Sequence, residues 1–278
     1  MPLKLLHTDL QGSGSGTGMS YYNTAMLCPR KANLDKEYNE NRHGTSSSVG
    51  TIFHKYMEHY HKDGIKEFAI EEADVALNAD LVEANRLFRE YTSRHPARYF
   101  GRVVGVEKRA PEEGTSLGTI QREALQNLFQ IEYTMRADLV VEVGTLDVLH
   151  LSKIQGLEEI KPGYYLVDHK TTGKTPSNGV LDYMARPQFP AYMMAWNACF
   201  PETPVLGMIA NVIVRHKKLT EASFLKFLVP FPSEQRQRGV KNYLNYAAVR
   251  AKTDEINLGA CSTYGLCYHF TTGACTQE

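Results

Sequence analysis

The sequence predicts an α/β fold: a sheet flanked by helices, with a helical elaboration ahead of it. Three observations lead there. Apolar residues keep helical spacing up to about residue 95, β-branched and aromatic runs follow from residue 102, and helix and strand patterns alternate from residue 164 to 256. The 278 residues suffice for one large domain or two small ones. With no internal repeat and no long low-complexity linker, residues 19–278 read as one domain: a helical part 19–95, a core 100–256 and a tail 257–278.

Residues 1–18 end in Gly12-Ser-Gly-Ser-Gly-Thr-Gly18, which lacks the spacing of a phosphate loop and reads as a flexible segment. Ser20 to about Asn39 is helical, and Pro29 starts or kinks a helix there. A polar loop, Asn41–Ser48, precedes a helix over Val49–His61 whose apolar face is Ile52, Phe53, Tyr56, Met57 and Tyr60. A third amphipathic helix spans 71–93. Strands are expected at Arg102–Lys108, Asn127–Thr134 and Arg136–Val143, with Asp147–Leu151 extending or pairing with the last. Tyr164–Val167 is an aromatic and β-branched run of the kind that forms a buried strand, and residues 182–199 are helical. Val205–Val214 and Phe224–Pro230 are further strands, and 233–256 is helical.

Basic and acidic residues balance at 31 each, so overall charge gives no argument for nucleic acid; a site for it needs a local patch. No apolar run approaches the ~20 residues that cross a bilayer, and no signal peptide opens the chain, so a soluble, intracellular protein without membrane partners is expected. Five cysteines, an odd number, favour metal ligation or inert burial over a disulfide framework. Cys199, beside Trp196 and Ala198, reads as core.

The strand begun at Tyr164 delivers Asp168 and Lys170 to one face and His169 to the other. Such a pair is also what an ordinary surface ion pair looks like. If Asp138 ended a neighbouring strand, the two carboxylates would make an oxygen-rich site suited to Mg²⁺ or Mn²⁺, with Lys170 orienting a water or offsetting charge. Asp147 is the rival for Asp138; the Arg136-Ala-Asp138-Leu-Val context favours Asp138. Glu107 reads as a solvated strand end. His54, Glu58 and His61 share one helix face, without the His-Glu-x-x-His spacing of zinc proteases; a zinc hydrolase built on them is a third reading.

Arg136-Ala-Asp138-Leu-Val, followed by Val167-Asp168-His-Lys170-Thr-Thr, resembles the paired motif of PD-(D/E)XK nucleases. Gly50-Thr-Ile-Phe-His54 resembles the Gly-x-x-x-His motif of the RecB-like branch, and Gln188-Phe-Pro-Ala-Tyr192 its Gln-x-x-x-Tyr helix. Cys28 with Cys261, Cys267 and Cys275 resembles the iron–sulfur staple of AddB-type and CRISPR-adaptation nucleases, although the tail spacing departs from the commoner Cys-x2-Cys-x5-Cys.

That resemblance implies a restriction-endonuclease-like mixed sheet closed by a cysteine-rich tail. It implies a metal held by His54, Asp138, Asp168 and the backbone carbonyl of His169, with Lys170, Gln188 and Tyr192 completing the catalytic set. It implies a [4Fe–4S] cluster, or Zn²⁺, on the four cysteines. The activity implied is that of a DNA exonuclease on ends or single strands, in the cytoplasm of a bacterial or phage-infected cell, with recombination, repair or CRISPR-adaptation partners. The runner-up is a cluster-bearing DNA-binding or assembly subunit with a vestigial site. Lys174, Arg215, Lys217 and Lys218 are candidate phosphate contacts.

Overall fold

Five strands form one sheet in the order β1 (Arg102–Ala110), β2 (Met135–Val143), β3 (Gly163–Thr172), β4 (Val205–Val214) and β5 (Phe224–Pro230). The structure, a computed structural model, describes residues 17–38, 45–68, 79–253 and 255. All neighbouring strands are antiparallel except β3 and β4, which run parallel. A parallel pair needs a crossover, and the chain between β3 and β4 supplies a helical one.

The helices in chain order are α1 (Met19–Leu27), α2 (Pro29–Tyr38), α3 (Thr45–Asp63), α4 (Ala79–Arg94), α5 (Ser116–Phe129), α6 (Thr145–Leu151), α7 (Leu181–Met184), α8 (Gln188–Cys199) and α9 (Glu234–Ala251). One face of the sheet is covered by a core that runs from Leu125 and Phe129 of α5 through Phe189, Met193 and Trp196 of α8 to Val240 and Leu244 of α9. The other carries Phe53, Tyr56 and Met57 of α3 with Leu87, Phe88 and Tyr91 of α4, and a second group around Leu139, Val167 and Ile209. This is the helix-flanked mixed sheet that the sequence predicts. β4 is buried along nearly its whole length, as a run that is apolar but for Asn211 requires of a strand covered on both faces. Each buried Val, Ile or Met side chain of the strand contributes about 1.5–3 kcal/mol by leaving water.

The helical start divides where Pro29 dictates, between α1 and α2. Both helices pack on α9. Asn33 Nδ2 donates to the Ala251 carbonyl (2.9 Å) and Tyr243 Oη to Asn23 Oδ1 (2.8 Å). Four expectations are corrected. The proposed strand over Asn127–Thr134 is the end of α5, followed by non-strand backbone; Thr115 caps that helix by accepting from Gly118 N, and Gly118, Gln121, Leu125 and Phe129 are its buried stripe. Asp147–Leu151 is not strand but the bulk of α6, and Asp147 accepts from Gly144 N (2.8 Å) at its start. Helix 182–199 is broken at 185–187, ahead of α8, where Pro187 stands. The polar loop Asn41–Ser48 also ends early, since α3 begins at Thr45. Among the described residues, no helix is long and apolar enough to cross a membrane.

A line of buried polar groups runs beneath β3. Asn211 of β4 donates through Nδ2 to Tyr91 Oη (2.9 Å), and the same nitrogen lies 2.7 Å from His169 Nδ1. Next to Tyr91, His95 is 1 % exposed. Its Nδ1 donates to the Tyr91 carbonyl (3.1 Å), and its Nε2 accepts from the Lys226 ammonium (2.7 Å), so the ring is held neutral. Burial, with the Lys226 charge, pulls His95 down to about 4, and burial pulls Lys226 down to about 8.

The sign follows. The unfolded histidine takes a proton near 6.5 and the folded one only near 4, so stability is lost as pH falls through that window. We expect a loss on the order of 2 kcal/mol from this ring after screening. His95→Gln keeps an acceptor for Lys226 and should remove that part of the acid limb in urea unfolding at pH 7, 6 and 5. An unchanged limb would exclude His95 as its source.

Candidate active site

The site lies where β2 and β3 part. Their ladder runs from Val143–Gly163 to Leu139–Val167 and stops there, one residue short of Asp138 and Asp168. At the next step the His169 N–H is taken by a side chain, Asp138 Oδ2 at 2.8 Å. β1 stays paired with β2 past this point, and β4 with β3, so the split opens a cleft inside an otherwise continuous sheet.

Asp168 is 3 % exposed at the end of the buried run of β3, and Lys170, two residues on, places Nζ 2.9 Å from Asp168 Oδ2. The same-face argument from the sequence is therefore met: Asp168 and Lys170 lie together, while the His169 ring turns the other way, to Asn211 and the His54 side of the cleft. α3 supplies the imidazole. Its Gly50 approaches β3 so closely that a Cβ there would sit 3.2 Å from Thr171 Oγ1. One turn later on the same helix face, His54 Nδ1 reaches 3.3 Å from Asp138 Oδ2. The Gly-x-x-x-His spacing thus has a steric reason: the glycine lets the helix in and the histidine uses the approach.

From the other face, α8 brings Gln188 and Tyr192. The two side chains are neighbours one helical turn apart, and Tyr192 feels the charges of Lys170 and Asp168. His54, Asp138, Asp168, Lys170, Gln188 and Tyr192 therefore gather in one place. Lys174, Arg215, Lys217 and Lys218 follow at the carboxyl ends of β3 and β4. Arg215 N donates to the Thr172 carbonyl (2.7 Å), so the loops carrying Lys174 and Arg215 leave the sheet side by side. Lys174, Lys217 and Lys218 are exposed and Arg215 is half-buried.

The sequence places Glu107 in solvent at a strand end, and the structure corrects this. It stands opposite Asp138 in the β1–β2 register, between the pairs Val106–Leu139 and Lys108–Ala137. Its side chain is 15 % exposed and pairs with Arg136 Nε at 2.8 Å. Its φ of +50°, a costly value for a non-glycine residue inside a strand, turns it into the cleft beside His54, Glu58, Asp138 and His169. Asn211, also absent from the sequence reading, had one signal: a lone amide in the apolar run of β4 must be buried and must find partners.

The His54–Glu58–His61 face does not gather into a zinc site. Glu58 turns to Lys55 (2.7 Å), and His61 stacks parallel on His169 with ring centroids 5.8 Å apart. Asp147, the rival for Asp138, is taken up in capping α6.

The electrostatics show a cleft crowded with negative charge. Burial pushes Asp168 up, and the neighbouring Asp138 charge adds to it against the pull of Lys170. Burial and the same Asp138 charge push Glu107 up to about 7, against Arg136. For Asp138 burial works upward too, but His54, through charge and hydrogen bond, with His169 and Lys170, wins and holds it well below the usual carboxylate range. Burial pulls His54 down, yet the Asp138 carboxylate outweighs it and leaves the ring raised. Lys170 loses by burial and regains more from Asp168 and Asp138, so its ammonium stays charged.

The Asp138 charge raises the carboxyls beside it, a sign of too little positive charge, and carboxylate oxygens with an imidazole at the rim suit a hard divalent cation. The residues present fit Mg²⁺ or Mn²⁺. Among the described residues no group of three or more His, Cys, Asp or Glu stands in ligating geometry. Here Asp168 leans on Lys170, and Asp138 on His54 and the His169 N–H.

Of the cysteine set, Cys28 is buried, with its thiol 4.0 Å from the Glu255 carbonyl; Cys261, Cys267 and Cys275 lie outside the described residues, as do residues 1–16 and the tail 257–278.

No curated protein matches the chain. A family model described as the PD-(D/E)XK nuclease superfamily matches residues 18–262, which takes in every strand of the sheet and the side chains of the cleft, but not Cys267 or Cys275. Nucleases of that superfamily are phosphodiester hydrolases that depend on Mg²⁺ or Mn²⁺, and the mixed sheet with flanking helices fits their restriction-endonuclease-like fold. By this match, over most of its length, and by the sheet that carries it, the chain belongs to the PD-(D/E)XK nuclease superfamily.

Proposed function

We propose that the chain is a RecB-like deoxyribonuclease, an exonuclease acting on DNA ends or single strands. The observation that carries this reading is the opening between β2 and β3, where Asp138, Asp168, His54 and Lys170 meet. In it, His54, Asp138, Asp168 and the His169 carbonyl hold the metal. A bound Mg²⁺ or Mn²⁺ supplies positive charge where the phosphoryl oxygens gain negative charge, and makes water more acidic. Lys170, kept charged by its two carboxylates, orients the attacking water and offsets charge on the phosphate. Gln188 and Tyr192 hold the scissile strand against the cleft. Lys174, Arg215, Lys217 and Lys218 neutralise phosphates beyond it, without reading sequence.

Cys28, Cys261, Cys267 and Cys275 hold a [4Fe–4S] cluster or Zn²⁺ that ties the tail to α1 and α2. Support comes from Glu255, six residues before Cys261. Its carbonyl accepts from Arg30 N (3.1 Å) beside the Cys28 thiol, so the chain heads into the tail at that cysteine. Ligation there would contribute folding free energy directly.

The test is digestion of end-labelled linear DNA, single- and double-stranded, and of closed circular DNA, in Mg²⁺, Mn²⁺ or EDTA. Cleavage of linear but not circular substrate, absent in EDTA, is expected. Equal cutting of closed circles would remove the exonuclease assignment. Binding with no cleavage in either metal would favour the assembly subunit instead. Protein purified without oxygen should show a broad band near ~400 nm if iron–sulfur is bound and none if zinc is. Cys28→Ser should abolish whichever metal content is found.

A further inference from the structure

Beside the acidic cleft lies an open cavity of about 480 Å³, within the range of small-molecule sites. It is lined by His61 and Lys62 at the end of α3, by Ala97 and Arg98 in the turn after α4, and by residues 103–106 and Lys108 of β1. Its charged lining is entirely cationic. Lys62 and Arg98 are exposed and ion-pair with no described acidic group, and Lys108 makes only a loose 4.0 Å pair with Glu112. Its apolar wall is Val103, Val104 and Val106, on an edge strand, with Val104 37 % exposed.

The cavity and the cleft share their walls. Val106 and Lys108 line the cavity, while Glu107 between them lines the cleft. His61 lines the cavity and stacks on His169, behind which Asp138 is held. A polyanion is repelled by a cleft holding Glu58, Glu107, Asp138 and Asp168, and must be anchored by positive charge close by.

We propose that this cavity is a nucleotide subsite: Lys62, Arg98 and Lys108 take a backbone phosphate of the strand being cleaved, and the β1 valines take the adjoining unpaired base. The proposal rests on the nuclease reading for the identity of its ligand. It assigns the strand a direction across the molecule, from this cavity over the cleft toward the basic ends of β3 and β4.

The experiment measures affinity of fluorescent single-stranded oligonucleotides in EDTA, where no cleavage competes, at several salt concentrations. The double variant Lys62→Gln/Arg98→Gln is compared with Lys153→Gln/Lys161→Gln, which removes two exposed charges near the opposite end of β3. The cavity variant should bind about tenfold more weakly than this control, with a salt slope lower by about one to two. Under turnover, its loss should fall on KM more than on kcat.

Oligonucleotides ending in a 5′ phosphate, a 3′ phosphate or neither sort the ligand. A loss common to all three places an internal phosphate in the cavity, and a loss confined to one places that end there. Cavity and control variants with equal affinity and slope overturn the proposal. So does a heat stabilisation by inorganic phosphate that the cavity variant loses while binding oligonucleotide like the control, because the cavity then takes a free anion. A protein that binds DNA through these residues but never cleaves it refutes the nuclease reading and leaves the subsite standing.

Discussion

Asp168→Asn lowers the single-turnover cleavage rate at least about 10³-fold, a loss of about 4 kcal/mol in transition-state stabilisation, while oligonucleotide affinity in EDTA stays near wild type. The asparagine keeps the shape of a side chain that is 3 % exposed, so no cavity opens and the change is one of charge alone. That charge is costly to the resting fold, because burial and the Asp138 carboxylate both push Asp168 up. The metal-free variant should therefore unfold at the same temperature as wild type or a higher one. Asp138→Asn behaves differently. Its carboxylate is held by the His169 N–H and by His54, and the variant loses about 1 kcal/mol of stability along with cleavage. Activity lost with stability gained marks a group kept for chemistry. Cleavage by Asp168→Asn within tenfold of wild type would remove the carboxylate pair from the mechanism.

Where the chain was legible, local rules and tertiary packing agreed. Tyr164–Val167 forms a strand by propensity and burial alike, and period-2 alternation then fixes that Asp168 and Lys170 share a side, 2.9 Å apart. Gly50 and His54 are paired through the resemblance to a Gly-x-x-x-His motif, and the helix puts them on one face because four residues make about one turn. Where the rules conflicted, the sequence misled. Phe129, Ile131 and Tyr133 alternate like a strand, but Thr115 caps a helix running into them. Its buried stripe was hidden because it includes a glutamine, Gln121, whose side-chain oxygen accepts from Glu112 N at 2.8 Å. Glu107 escaped for a different reason. No alternation pattern encodes a φ of +50°, so the turn that sends it into the cleft belongs to packing between β1 and β2. The share of the site that depends on sequence separation, such as the buried amide of Asn211 reaching both His169 and Tyr91, was visible only as an oddity in an apolar run.

Lys170→Met should cost about 10²–10⁴-fold in kcat, the range for losing a positioned proton-handling or charge-stabilising group, with Lys170→Arg recovering part of it. The split tests what the lysine does. Its ammonium sits 2.9 Å from Asp168, and although burial opposes it, two carboxylates keep it charged. A group held charged acts by orienting and by offsetting charge, which a guanidinium partly reproduces; a neutral-lysine base would gain nothing from arginine. The same electrostatics predict a signal that needs no substrate. Removing the ammonium leaves Asp138 and Asp168 short of one more positive charge, so Mn²⁺ should raise the melting temperature of Lys170→Met more than that of wild type, and Asp168→Asn should respond least. Equal shifts in all three proteins would mean that the cation, wherever it binds, is not felt by these carboxylates. Were that so, the meeting of Asp138 and Asp168 at the mouth of the split sheet would have to be explained without a metal.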